Sequence, residues 1–366
     1  MSLSVIQLRR APVRTALLVV VVAALVFLVE YLATLSATLQ AFSTGALAHL
    51  PASLIVYSGA AEGSLDASRL PPRLALRAAR VRGVAAVAEL GVADFTVAGP
   101  GGRYELALVG LGSGGPGWPP LVSGRLPGPG GVLVDATEGA AGLGQGRRVA
   151  PEPGGIVLRV TGVASGVRYD GLVTAWAAFG TWARAVRAAS PGGAAVPNAL
   201  AVRARPGVPL AALARRLAAA LPGTRVLTRA AAVADVPGAS VIAVTFDLLI
   251  TVAFLAAVLV VSSVFLLVTV QRLRVWVLLR ALGASAGRLG LAILAQAALV
   301  VVAGSVVASA ALVLAAGASG ATFPLRAAPG LVATTVLSVL IGACVSCLLP
   351  VRRIGRIDPA AAVVQP

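Results

Sequence analysis

The chain has 366 residues, 58% of them hydrophobic, and a mean hydropathy of +0.94. That apolar share exceeds the usual range of soluble domains and points to a membrane protein. The formal charge is +17 and every one of the 30 basic residues is arginine. In so Ala- and Gly-rich a chain this reflects biased composition, and with no zinc-finger, homeodomain or RNA-binding signature it excludes a nucleic-acid binder.

Arg9, Arg10 and Arg14 precede the apolar run 15–29 (TALLVVVVAALVFLV). Hydrophobic character continues past Glu30 to Leu39 with no small-residue cleavage site. The segment is therefore a retained first span over about 14–38, with its N-terminus in the cytoplasm. Glu30 has two readings: a carboxylate reaching the outer interface, or a group serving substrate passage or proton coupling.

Residues 40–243 form the extramembrane part. Residues 66–84 predict a helix starting near Pro71 and Pro72, with Arg69, Arg73, Arg77 and Arg80 as a solvated stripe. Strand patterns follow at 84–97 and 103–109 (RYELALV). GVLVD (131–135), the turn GLGQGRR (142–148) and IVLRVTGV (156–163) predict a small β-rich lobe. No Gly-Lys-Ser/Thr completes a phosphate loop at GLGQG. A strand at 198–205, a helix at 209–221 and a strand at 224–228 predict a βαβ-like unit near the membrane, in a lobe built from both ends of the region.

Three more apolar runs follow: 248–270 with Asp247 at its outer mouth, 289–314, and 330–350. Between the first two lies QRLRVWVLLRALGASAGR (271–288), which carries Arg272, Arg274, Arg280 and Arg288 and no acidic residue. Arg352, Arg353 and Arg356 follow the last run, whereas the short loop 315–329 holds only Arg326. By the positive-inside rule, both termini and the 271–288 segment are cytoplasmic. Small-xxx-small pairs such as Gly304/Ala308 and Ser305/Ser309 favour close helix packing. Cys344 and Cys347 fall inside the last run, as two small residues at helix spacing rather than a redox or metal pair.

The predicted fold class is thus membrane α-helical, with four transmembrane helices and an α+β extracytoplasmic domain between helices 1 and 2. The boundaries are 1–39, 40–243, 244–351 and a cytoplasmic tail at 352–366, in a multi-pass plasma (inner) membrane protein. There is one histidine (His49), no metal spacing, no nucleophile elbow and no Walker A sequence. No catalytic or metal site is expected, and no cofactor bound by this chain.

Three stretches carry a resemblance: Arg280–Ser285 (RALGAS), the tail 350–362 (PVRRIGRIDPAAA), and GRLP (124–127) followed by GVLVD, GLGQGRRV and VLRVTGV. With the one-plus-three helix layout, they resemble the MacB/FtsX-type permease family of ABC transporters, nearest its four-helix, DevC-like members. The resemblance implies a permease that relays motion from a separate ABC ATPase subunit, where ATP and Mg are bound, to export or extraction of a lipid, amphiphile or peptide. Its alternative is a mechanotransmitting regulator of an extracellular cell-wall hydrolase. Implied partners are that ATPase, a second permease chain (homodimer or heterodimer), the lipid bilayer and an extracytoplasmic protein. Implied ATPase-coupling residues are Arg272, Arg274, Val275, Trp276, Leu279, Arg280, Ala281, Leu282, Gly283, Ala284 and Ser285. Val275 stands where the family commonly has glutamate, so the resemblance implies either apolar docking by Val275, Trp276 and Leu279 in place of an ion pair, or a divergent partner in a heterodimer. Glu30 and Asp247 are the candidate polar residues of the membrane part.

Overall fold

The computed structural model describes residues 12–99, 102–115, 117–271, 285–319, 325 and 329–346. They divide into two compact units. One takes the described parts of Met1–Ser36, Val244–Ser319 and Leu325–Pro366; the other takes the described residues of Ala37–Ala243.

Helix α1, Pro12–Ala48, is continuous across the boundary between the units. Its 37 residues make it about 55 Å long at 1.5 Å per residue. It runs ten residues beyond the predicted end. The extra turns are not membrane-type: Ala46, Leu47 and Leu50 just after it are buried in the core of the outer unit.

The outer unit is built on a ten-stranded mixed sheet. In chain order the elements are β1 (Leu54–Ser58), α2 (Arg73–Ala79), β2 (Val84–Gly99), β3 (Gly102–Leu111), β4 (Leu121–Gly124), β5 (Gly131–Asp135), β6 (Arg148–Val149), β7 (Leu158–Ala164), β8 (Val173–Ala178), α3 (Phe179–Ala189), β9 (Ala199–Ala204), α4 (Leu210–Ala220), β10 (Thr224–Thr228) and α5 (Arg229–Ala234). The spatial order is β10-β1-β9-β2-β3-β8-β5-β7-β4, with β6 on β7. Strands β3 and β8 are parallel, as are β5 and β7; the other pairs are antiparallel.

The predicted βαβ-like unit is β9-α4-β10, but β1 lies between its two strands, antiparallel to both. Segments from both ends of the region therefore meet in one lobe. Strand β1 escaped sequence reading because it is buried on both faces, so LIVYS has no apolar–polar alternation to detect. Strands β4 and β8 and helix α3 escaped it as well.

Strand alternation sorts the core onto two sides. Leu106 and Leu108 of β3 face the side carrying α3, while Ala107, Val109 and Leu111 face the end of α1 and α5. Helices α2 and α4 cover the α3 side further along, through Leu74, Ala78, Leu213 and Leu217. Gly91 and Gly110 are register partners in β2 and β3. A Cβ on either would come within 2.6 and 2.5 Å of Trp182, so the two glycines form the flat seat on which that indole packs.

The membrane unit contains α6 (Ala239–Gln271), α7 (Ala286–Ala318) and α8 (Pro329–Ser346) with the first part of α1. Stretches Thr15–Ala48, Ala239–Val264 and Leu289–Ala318 are long and apolar enough to cross a bilayer. Helix α8 has the shorter apolar stretch Val332–Gly342, and the predicted fourth span, 330–350, continues outside the described residues. Many of the large apolar side chains of this unit face outward, among them Leu248, Leu255, Leu259, Val306 and Leu314. In water such a surface would be costly; in lipid it is matched, and an α-helix satisfies its backbone internally.

Candidate functional site

Of the predicted coupling residues, Arg272, Arg274, Val275, Trp276, Leu279, Arg280, Ala281, Leu282, Gly283 and Ala284 lie outside the described residues. Ser285 is described. It takes the extended N-cap position of α7, and its carbonyl accepts from Leu289 N–H at 3.2 Å. The segment thus connects the C-terminus of α6 to the N-terminus of α7.

Two polar residues were singled out in the membrane part, and they sit differently. Asp247 is exposed on α6, eight residues into the helix, and its carbonyl accepts from Thr251 Oγ1 at 2.6 Å. Glu30 is fully buried, and its Oε1 accepts from Ser309 Oγ of α7 at 2.9 Å. Glu30 Oε2 and Ser305 Oγ, one turn away, are both buried without a hydrogen-bond partner. Further along the same pair of helices, Gly304 meets α1 closely: a Cβ there would lie 2.7 Å from Val22 Cγ1. Helices α1 and α7 meet at a small-residue crossing joined by the Glu30–Ser309 hydrogen bond.

A second cluster, which sequence reading missed, fixes the outer end of α1. The loop after β7 wraps the helix: Arg168 carbonyl accepts from Ala46 N–H at 2.7 Å, Ser43 carbonyl from Asp170 N–H at 3.2 Å and Phe42 carbonyl from Gly171 N–H at 3.1 Å. Gly45 is what allows this approach, since a Cβ there would lie 2.4 Å from Gly166 O. The Arg168 guanidinium stands over the Phe42 ring, 4.3 Å from its centroid.

Arg168 is 7% exposed and forms a buried ion pair with Glu138, Nε to Oε1 at 3.0 Å. Its Nε–H serves the Leu172 carbonyl at 3.3 Å, so the Glu138 contact is coulombic and Oε1 lacks a hydrogen-bond donor. Burial pushes the Glu138 carboxyl up to about 7; Arg168 opposes the shift and Asp135 adds to it. Asp135 is buried too, but its oxygens accept from Thr137 N–H at 2.9 Å and Val167 N–H at 2.7 Å. Trp176 Nε1 donates to Val167 carbonyl at 3.0 Å and closes the cluster from β8. Arg168 carried no sequence signal, being one of 19 arginines between residues 40 and 243. Among the described residues no three His, Cys, Asp or Glu side chains form a metal set.

Residues 248–359 match the model of the FtsX-like permease C-terminal family. The match bears out the resemblance to FtsX-type permeases carried by residues 280–285 and the tail. Two solved structures are similar to the chain. The periplasmic region of MacB from Actinobacillus actinomycetemcomitans is 14% identical, with a TM-score of 0.38, over 50% of this chain and 92% of that one. The extracellular domain of the noncanonic ABC-type transporter YknZ from Gram-positive bacteria is 17% identical, with a TM-score of 0.37, over 48% and 98%. A comparison with curated proteins finds no match.

Proposed function

With residues 248–359 matching the FtsX-like permease C-terminal family, we propose that this chain is the permease subunit of an ABC exporter that moves a lipid, amphiphile or peptide outward. ATP is hydrolysed by a separate ATPase that docks on residues 271–288, and a second permease chain completes the transporter. Both termini lie in the cytoplasm. The outer domain handles the cargo or hands it to a partner.

The observation that supports this reading, beside the match itself, is the single helix α1. No glycine or proline interrupts it from Thr15 to Thr44. Kinks in helices arise chiefly at such residues. The membrane part of α1 is tied to α7 by Glu30 and Ser309, and its outer end is strapped by the Arg168 loop. A displacement applied at the cytoplasmic ends of α6 and α7 is carried by such packing, where a Gly-rich linker would absorb it.

The test begins with an adjacent gene for a Walker A ATPase. Co-expression should give a complex that purifies intact, with ATP turnover raised by the permease. Replacing Arg280 and Gly283 together should lower assembly and turnover while the outer domain melts as before. A chain that binds no ATPase refutes the proposal. A complex that forms, but whose deletion causes a wall-hydrolysis or division defect and no export defect, replaces transport with regulation of a cell-wall hydrolase.

A further inference from the structure

On the α2 and α3 side of the outer sheet lies a groove of about 790 Å³. One wall is α2, through Pro72, Arg73, Ala75, Leu76 and Ala79; the other is the start of α3, at Phe179 and Gly180. Val87 and Glu89 of β2 line the groove between them. The odd positions of β2 point to this side: Val87 packs with the α2 and α4 cluster, and Gly91 lies under Trp182. Glu89, between them, therefore enters the groove rather than the opposite core.

Three features of the groove are unusual for plain surface. Its volume falls within the range of small-molecule sites, about 300–1,000 Å³. Leu76 is 69% exposed on its wall, although the neighbouring Leu74 of the same short helix is buried. Glu89 is half-buried and has no ion-pair partner among the described residues. Arg73 lines the same groove without pairing with it. Burial raises the Glu89 carboxyl, and no arginine, Arg73 included, lowers it again. A half-buried carboxylate beside apolar walls lacks a counter-ion, and a ligand ammonium would supply one.

We propose that this groove binds an amphiphilic amine, with the ammonium on Glu89 and the apolar body against Leu76, Val87 and Phe179. The assignment of that amine as cargo rests on the exporter reading above; the binding itself does not.

The test uses the full chain in nanodiscs of zwitterionic lipid, with dansylcadaverine as a fluorescent amine and dansylamide as the same fluorophore without the amine. Saturable binding of the amine is expected, at least tenfold weaker in Glu89→Gln. Ala79→Trp, which fills the groove, should also weaken it at least tenfold. All variants should keep the native melting temperature within about 2 °C. No saturable binding to the native chain, equal binding to Glu89→Gln, or equal binding of dansylamide each overturns the proposal. A native chain that binds the amine but assembles with no ATPase would keep the site and discard the exporter.

Discussion

Arg168→Met tests the anchoring of α1 most directly. The substitution keeps an apolar side chain of similar length but removes the guanidinium that stands over Phe42 and faces Glu138 at 3.0 Å. Glu138 is buried and already lacks a hydrogen bond to Oε1, so an ionised carboxylate would be left uncompensated. Breaking a buried pair by removing one partner costs about 3–5 kcal/mol. For a domain of this size, each kcal/mol lowers the melting temperature by about 2–4 °C, which gives a loss of roughly 6–20 °C at alkaline pH.

That loss should depend on pH. Glu138 titrates near 7 in the folded protein against an ordinary 4.5, so between those values the folded state holds the proton more tightly. Its contribution to stability is therefore present at low pH and is lost as pH rises through about 7. Without Arg168 the folded value rises further. The penalty of Arg168→Met should be small at pH 5.5, where Glu138 is neutral, and clearly larger at pH 8.5. Differential scanning fluorimetry on the full chain follows this, because Trp176 is buried beside the cluster. Glu138→Gln in the Arg168→Met background should recover much of the alkaline loss. A penalty equal at pH 5.5 and 8.5, or no recovery in the double variant, refutes the buried ion pair as the anchor.

Other expectations follow from close contacts. Gly45→Ala places a Cβ 2.4 Å from Gly166 O, so it should destabilise the outer unit by about 1–3 kcal/mol, read as a lower melting temperature. Gly110→Ala meets Trp182 at 2.5 Å and should cost a similar amount, with a shift in the buried tryptophan emission. Ser309→Ala removes one interhelical hydrogen bond and should cost only about 0.6 kcal/mol in membrane stability. Glu30→Lys buries a cation at the same crossing and should lower the yield of monodisperse protein; unchanged yield would contradict the burial of Glu30.

How much was legible in the sequence depended on what each segment must satisfy. The apolar runs of α1, α6 and α7 declare themselves because lipid demands unbroken hydrophobicity. RYELALV and GVLVD were readable as strands from apolar pattern and flanking glycines, and they are β3 and β5. Strand β4, with all four residues exposed, had no apolar face to betray it. The parallel pairing of β3 with β8 joins residues more than sixty positions apart, which no local pattern encodes. The Arg168 cluster was hidden for the same reason. Its members, Phe42, Asp135, Glu138 and Arg168, are ordinary letters whose burial appears only when the loop closes on the helix.

The same comparison explains why α1 ends where it does. A span alone would need about 20 residues, and α1 has 37. Continuing a helix beyond the bilayer is unprofitable unless the extra turns bury something, because isolated helices of such length are marginal in water. Here they bury Ala46 and Leu47 and exchange three main-chain hydrogen bonds with the 168–171 loop, donating one from Ala46 N–H and accepting two at the Ser43 and Phe42 carbonyls. The extension therefore belongs to the outer fold as much as to the span. Loosening the Arg168 loop should fray the last turns of α1 before it disturbs the sheet. Amide exchange at Ala46 and Leu47 rising ahead of exchange in β3 would express that order, and simultaneous loss would mean that helix and sheet unfold as one.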